Sequence, residues 1–211
     1  MKESTKSIFK ELFENYKCLT ECENNIMSVY NIILECYKNG GKVLVCGNGG
    51  SAADCEHIVG ELMKGFNKKR ELQEDLKEKL NHFGNGKFIS DNLQGALPAI
   101  SLVSHTGLMT AFINDVKPEL VFAQQVLGYL KENDVLISLS TSGNSQNVVN
   151  AAITAKALGG RVVSVTGKFG GNLKNISDEC ICLPSDKTYK IQELTLPVYH
   201  AICAMLESEL F

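Results

Sequence analysis

No apolar run in this sequence approaches the ~20 residues that a membrane-spanning helix needs. Met1 to Lys10 is charged and lacks the apolar stretch of a secretion signal. Both absences predict a soluble, cytoplasmic protein without a membrane partner. A basic surplus is missing too: 21 Lys and Arg are scattered against 24 Asp and Glu, for a net charge of −3. That excludes a nucleic-acid binder held by a basic patch. None of the eight cysteines forms a C-x-x-C pair, and most lie in apolar stretches, as in Val43–Cys46 and Cys180–Leu183. Reduced, buried thiols are expected, rather than a thiolate zinc site or a disulfide framework.

What is present suits one α/β domain over 1–211. The chain has 211 residues and is 44% hydrophobic, enough for a sizeable core. Residues 4–38 read as two helices. Ile8, Phe9, Leu12, Phe13 and Tyr16 follow helical spacing, as do Ile26, Met27, Tyr30, Ile33, Leu34 and Tyr37, and Gly40-Gly41 ends the second. Short β-branched runs then alternate with helices. The runs are Lys42–Cys46, Ala99–Val103, Asp134–Leu139, Arg161–Thr166 and Glu179–Leu183. The helices are expected at about 51–66, 107–115, 119–130 and 145–158. This alternation predicts a parallel sheet with helices on both faces, and the fully apolar Val135-Leu136-Ile137 fits a strand buried on both sides. A last helix, 188–210, is expected to break or kink near Pro197. Residues 67–96 interrupt the pattern with charge, then Gly and Asn. Leu72, Leu76 and Leu80 suggest an exposed amphipathic helix within an insertion, either a lid or a solvated excursion.

Two strand-to-helix turns stand out, Cys46-Gly47-Asn48-Gly49-Gly50-Ser51 and Ser140-Thr141-Ser142-Gly143-Asn144-Ser145. Parallel α/β sheets bind ligands at the carboxyl ends of their strands. Glycines let backbone approach a ligand, and helix N-terminal amides attract phosphate. The bland alternative is an N-capped tight turn, but two such turns in one sheet favour a binding cleft. Gly47, Gly49 and Ala52 also match a dinucleotide fingerprint. That reading requires a second strand ending in an acidic residue ~20 positions on. The chain runs instead into Lys68-Lys69-Arg70, which excludes it.

His57 and Glu61 share one helix face, about 40° apart at i, i+4. Gln192 and His200 lie about 80° apart on the final helix. Imidazole and carboxylate are ordinary zinc ligands, whereas a Gln ligand is uncommon. Spacing alone describes surface or core side chains more often than a site.

Taken in order, CGNGGSAADCEHIVGEL (46–62), IND (113–115), STSGNSQNV (140–148), VTGK with GG (165–171) and IQE with a following His (191–200) resemble the SIS (sugar isomerase) domain family, and within it the phosphoheptose isomerases. Residues 67–96 stand outside the likeness. The resemblance implies a three-layer αβα sandwich around a five-stranded parallel sheet, with the N-terminal helices (1–41) serving assembly into a homotetramer whose active sites lie between subunits. It implies aldose–ketose isomerisation of sedoheptulose 7-phosphate to D-glycero-D-manno-heptose 7-phosphate. Asn48, Gly49 and Gly50 would contact the phosphosugar, with Ser51, Glu61 and Gln192 beside them. Asn114 and Asp115 would hold sugar hydroxyls, and Ser140, Thr141, Ser142 and Ser145 the phosphate. Glu61 and His200 match the acid/base pair. His57, Glu61, Gln192 and His200 match positions that bind zinc where zinc is found. Three features depart from the family pattern: Phe169 where Asp is frequent, Pro197 within the last helix, and the 67–96 stretch. They leave open an isomerase of another sugar phosphate. A non-catalytic SIS protein, like a replication-initiation regulator, is the other alternative, and the presence of both Glu61 and His200 favours an enzyme.

Overall fold

The computed structural model describes residues 1–211. Five strands form one parallel sheet: β1 (Val43–Gly47), β2 (Ala99–Ser101), β3 (Val135–Leu139), β4 (Arg161–Thr166) and β5 (Glu179–Cys182), in the order β2-β1-β3-β4-β5. Val45 pairs with Ser101 on one side and Ile137 on the other. Alternate strand residues feed two cores. Val43, Val45, Val135, Ile137 and Ile181 face one helical layer. Leu44, Cys46, Leu136 and Val162 face the other. The sheet is therefore the middle of three layers, as its continuous apolar strands require.

The first layer holds α1 (Glu3–Asn15), α2 (Glu23–Lys38), α3 (Gly50–Met63) and the final helix; a 3₁₀ turn, Lys17–Cys22, joins α1 to α2. In α2, Ile26, Val29, Tyr30 and Ile33 recur at helical spacing and are buried. After α3 the chain leaves the sandwich as a hairpin of short helices, α4 (Glu74–Asn81) and α5 (Gly86–Asn92). Leu76 and Leu80 lie within α4 and Leu72 precedes it. The hairpin is pinned at its base, where the Gly95 N–H donates to Arg70 O and Leu97 N–H to Leu62 O, both at 2.9 Å. Leu76 and Leu93 border a groove with Gly40 and Pro98, just before β1 and β2. The hairpin thus stands at the amino edge of the sheet and does not cover the two turns as a lid.

The second layer holds α6 (Thr106–Asp115), α7 (Val121–Tyr129), α8 (Gln146–Ala157) and α9 (Gly171–Ile176). The sequence pattern did not anticipate α9. Returning to the first layer, α10 (Thr188–Leu210) is continuous through Pro197, contrary to the expected break. Pro197 is buried where α10 meets α1, and its neighbours Val198 and Tyr199 are buried in the core between α10 and the sheet. The packing of a 23-residue helix offsets the ~3 kcal/mol that an interior proline costs.

Candidate active site

The strand order fixes where a ligand can sit. From β1 the chain crosses to β2 on one side, then to β3 on the other. The carboxyl ends of β1 and β3 therefore flank the topological switch point, where open α/β sheets leave a crevice. Both sequence-selected turns lie there. Gly49 opens α3 in the left-handed region, φ +57°, a conformation that costs other residues energy. Gly143, φ +67°, packs so closely on the Gly170 carbonyl that a Cβ would collide with it. Asn48 and Asn147 exchange both carboxamide hydrogen bonds at 2.9 Å and so join the two turns. Asn147 escaped the sequence reading because it lies just beyond the hydroxyl cluster.

Ser145 occupies the N-cap position of α8 but makes no side-chain cap bond. Its hydroxyl meets Ser140 Oγ at 3.0 Å instead, and Ser142 Oγ accepts the Asn144 N–H at 3.1 Å. Ser145 thus leaves the first amides of α8, Gln146 and Asn147, without a side-chain cap, which suits an incoming anion, while the Val148 N–H is taken by Asn147 Oδ1. Beside the first turn is a cleft of about 390 Å³ lined by Asn48, Gly49, Glu56 and Met109. Asn114 and Asp115 bond each other at 2.8 Å at the exposed end of α6, and neither bonds to the two turns.

The titratable cluster lies farther along α3. His57 Nε2 is 3.2 Å from Glu61 Oε1 and 3.5 Å from His200 Nε2, bringing α3 and α10 together. Tyr199, missed by the sequence reading, sits 2.9 Å from His57 Nδ1 and bonds Asp54 Oδ1 at 3.3 Å. Asp54 is one turn before His57, an i, i+3 spacing legible in the sequence only once Tyr199 is known to stand between them. Burial, and then His57, push the His200 pKa below its ordinary value, against the pull of Glu61. Burial, followed by the Asp54 carboxyl, raises the Tyr199 hydroxyl. A cleft of about 250 Å³ between α1 and α10 reaches His200, with Tyr16 and Phe66 on its walls.

Two SIS-domain family models match, one over residues 9–88 and one over residues 101–207. The chain belongs to the SIS domain family. Curated relatives agree. The phosphoheptose isomerase of Akkermansia muciniphila is 36% identical over 198 residues, spanning 94% of this chain and 92% of the relative. That of Nitratiruptor sp. is 38% identical over 204 residues, spanning 95% and 96%. The solved phosphoheptose isomerase from Francisella tularensis superposes with a TM-score of 0.76 at 28% identity, over 96% of each chain.

Within this SIS domain the four residues matched to zinc positions do not all meet. Donor atoms around a tetrahedral zinc with bonds of ~2.0–2.1 Å stand ~3.3–3.4 Å apart. The His57–Glu61 and His57–His200 separations, 3.2 and 3.5 Å, fit that spacing. Gln192 lies instead against Gly50, where a Cβ would strike its carboxamide, and Gly50 is ~10 Å along α3 from His57 at 1.5 Å per residue. One chain closes no group of three or more His, Cys, Asp or Glu side chains around a metal.

Proposed function

We propose that this chain is a phosphoheptose isomerase, converting sedoheptulose 7-phosphate to D-glycero-D-manno-heptose 7-phosphate. The observation that carries the reading is the convergence of Glu61 on α3 and His200 on α10 at one ring nitrogen, His57 Nε2. It occurs in a SIS domain with relatives of that name over nine-tenths of its length.

Aldose–ketose exchange needs a base for carbon and an acid for oxygen. Glu61 takes a proton from C1 of the ketose while His200 protonates the C2 oxygen, giving an enediol. Returning that proton to C2, with loss of the O1 proton, leaves the aldose. An imidazole with a lowered pKa is neutral at pH 7 and can both give and take a proton. The hydroxyls of Ser140, Thr141, Ser142 and Ser145 and the amides opening α8 hold the phosphate. Asn48, Gly49, Gly50 and Ser51, with Asn114 and Asp115, hold the sugar.

His57, Glu61 and His200 are the side chains that would hold zinc; Gln192, which the family pattern adds as a fourth donor, stands apart from them against Gly50. A bound zinc would polarise the carbonyl and stabilise enediolate charge. Assembly as a homotetramer with active sites between subunits fits the exposed Leu108, Ile113, Val116 and Leu127 on and beside α6 and α7.

The deciding experiment is a coupled isomerase assay across C5–C7 ketose phosphates, with zinc content measured on the same sample. Turnover greatest on sedoheptulose 7-phosphate is expected, with any stoichiometric zinc lost on His57→Ala. A native protein that isomerises none of these substrates would refute the reading.

A further inference from the structure

We propose that Arg70 and Glu207 form a buried clamp that sets the placement of Glu61 relative to His200. Both are positioning residues, and the proposal rests on the proton-transfer roles given above to Glu61 and His200. Arg70 is fully buried in a stretch whose neighbours Lys68, Lys69 and Glu71 are exposed. Its guanidinium makes three hydrogen bonds, one from each nitrogen. Nη2 donates to Glu61 O at 2.9 Å, Nη1 to Leu62 O at 2.5 Å, and Nε to Glu207 Oε1 at 2.7 Å.

The first two bonds satisfy carbonyls at the C-terminal end of α3, which have no partner within the helix and favour a cation. The third reaches α10, two turns beyond His200. Glu207 also accepts the backbone N–H groups of Phe66 and Asn67, each at 2.8 Å. The Phe66 ring in turn lies 5.4 Å from the His200 ring. One carboxylate and one guanidinium therefore tie the backbone of Glu61 to the helix and the aromatic neighbour of His200.

Buried ion pairs are poor stabilisers, and apolar side chains of similar volume often replace them at no loss. What an apolar pair cannot reproduce is a directed bond to the Glu61 carbonyl. Proton transfer is sensitive to such direction, since a 1 Å misplacement can cost ~10²-fold. This distinguishes a clamp from mere filling.

The test compares the native protein with Arg70→Met and with Arg70→Met/Glu207→Leu, following melting temperature, kcat, KM and the imidazole NMR signals of His57 and His200 without substrate. Arg70→Met should lower kcat by about 10–10²-fold with KM little changed, because the turns that hold substrate are remote from it. The double variant should regain melting temperature without regaining kcat, and the imidazole signals should shift. If Arg70→Met does not fold, the double variant supplies the comparison. Recovery of kcat together with stability, or imidazole signals that stay in place, would overturn the clamp. If the native protein isomerises no sugar phosphate, the isomerase reading fails separately, and the imidazole signals still decide the clamp.

Discussion

Asn48 and Asn147 are 99 positions apart in sequence, yet each side-chain amide donates to the other's carbonyl at 2.9 Å. The pair bridges β1 and β3 at the switch point, and Asn147 Oδ1 also accepts the Val148 N–H at the start of α8. It holds the first glycine-rich turn in register with the second, hydroxyl-rich one. Asn147→Ala removes both bonds without touching the hydroxyls. Neutral hydrogen bonds contribute about 1 kcal/mol each, so KM for sedoheptulose 7-phosphate should rise about 5- to 30-fold with kcat little changed. Steady-state kinetics check this, and a lowered kcat at constant KM would contradict it.

The second turn should carry most of the phosphate affinity. The Ser145 hydroxyl meets Ser140 rather than capping α8, and Ser142 is exposed. Hydrogen bonds to a charged group contribute ~1.5–3 kcal/mol. Ser142→Ala and Ser145→Ala should each raise KM by about 10-fold or more. Inhibition by inorganic phosphate should weaken in parallel, a readout independent of the sugar. Unchanged KM in both variants would place the phosphate elsewhere.

The strands and both turns were legible in the sequence because strand burial on two faces leaves continuous apolar runs, and because Gly49 and Gly143 mark backbone that other residues resist. Helix periodicity put His57 and Glu61 on one face, but no local rule could say that His200 would come within reach of them. Tyr199, Asn147 and Arg70 were passed over for the same reason. Their partners Asp54 and His57, Asn48 and Glu207 lie between 99 and 145 residues away. Proline chemistry suggested a break or kink at Pro197, and tertiary packing kept the helix unbroken. The charge-rich composition of 67–96 hid Arg70, since a run such as Lys68-Lys69-Arg70 reads as uniformly solvated.

The buried Glu207 gives the fold a specific acid sensitivity. Burial pushes its carboxyl up, but the Phe66 and Asn67 amides and Arg70 outweigh burial and hold it below its ordinary value. A group depressed in the folded state contributes stability above its unfolded pKa, about 4.3. That contribution is lost as pH falls through that value toward the folded one. Native melting temperature should therefore drop below about pH 4.5. Glu207→Gln should be less stable at pH 7 by ~3–5 kcal/mol, because it leaves Arg70 buried without a counter-charge. Its melting temperature should then fall less steeply with acid. Melts from pH 3 to 7 on both proteins test this, and equal acid slopes would assign the sensitivity to other carboxylates.

Catalysis should fail in a particular way at Glu61 and His200. Glu61→Gln keeps the size and hydrogen-bonding capacity of the side chain but removes the base. It should lower kcat by at least ~10²-fold, since positioned proton transfer contributes ~10²–10⁴-fold. The fold should survive, because the Arg70 guanidinium bonds the backbone carbonyls of Glu61 and Leu62 and not the Glu61 side chain. His200→Asn should cost a similar factor. Under the proposed single proton relay, the double variant should lose little beyond either single one. Additive losses would mean two independent roles. Solvent deuterium entering C1 or C2 of the native product would report exchange of the transferred proton with water, as expected for an enediol route. Deuterium-free product combined with robust turnover in Glu61→Gln would exclude a carboxylate base at this position.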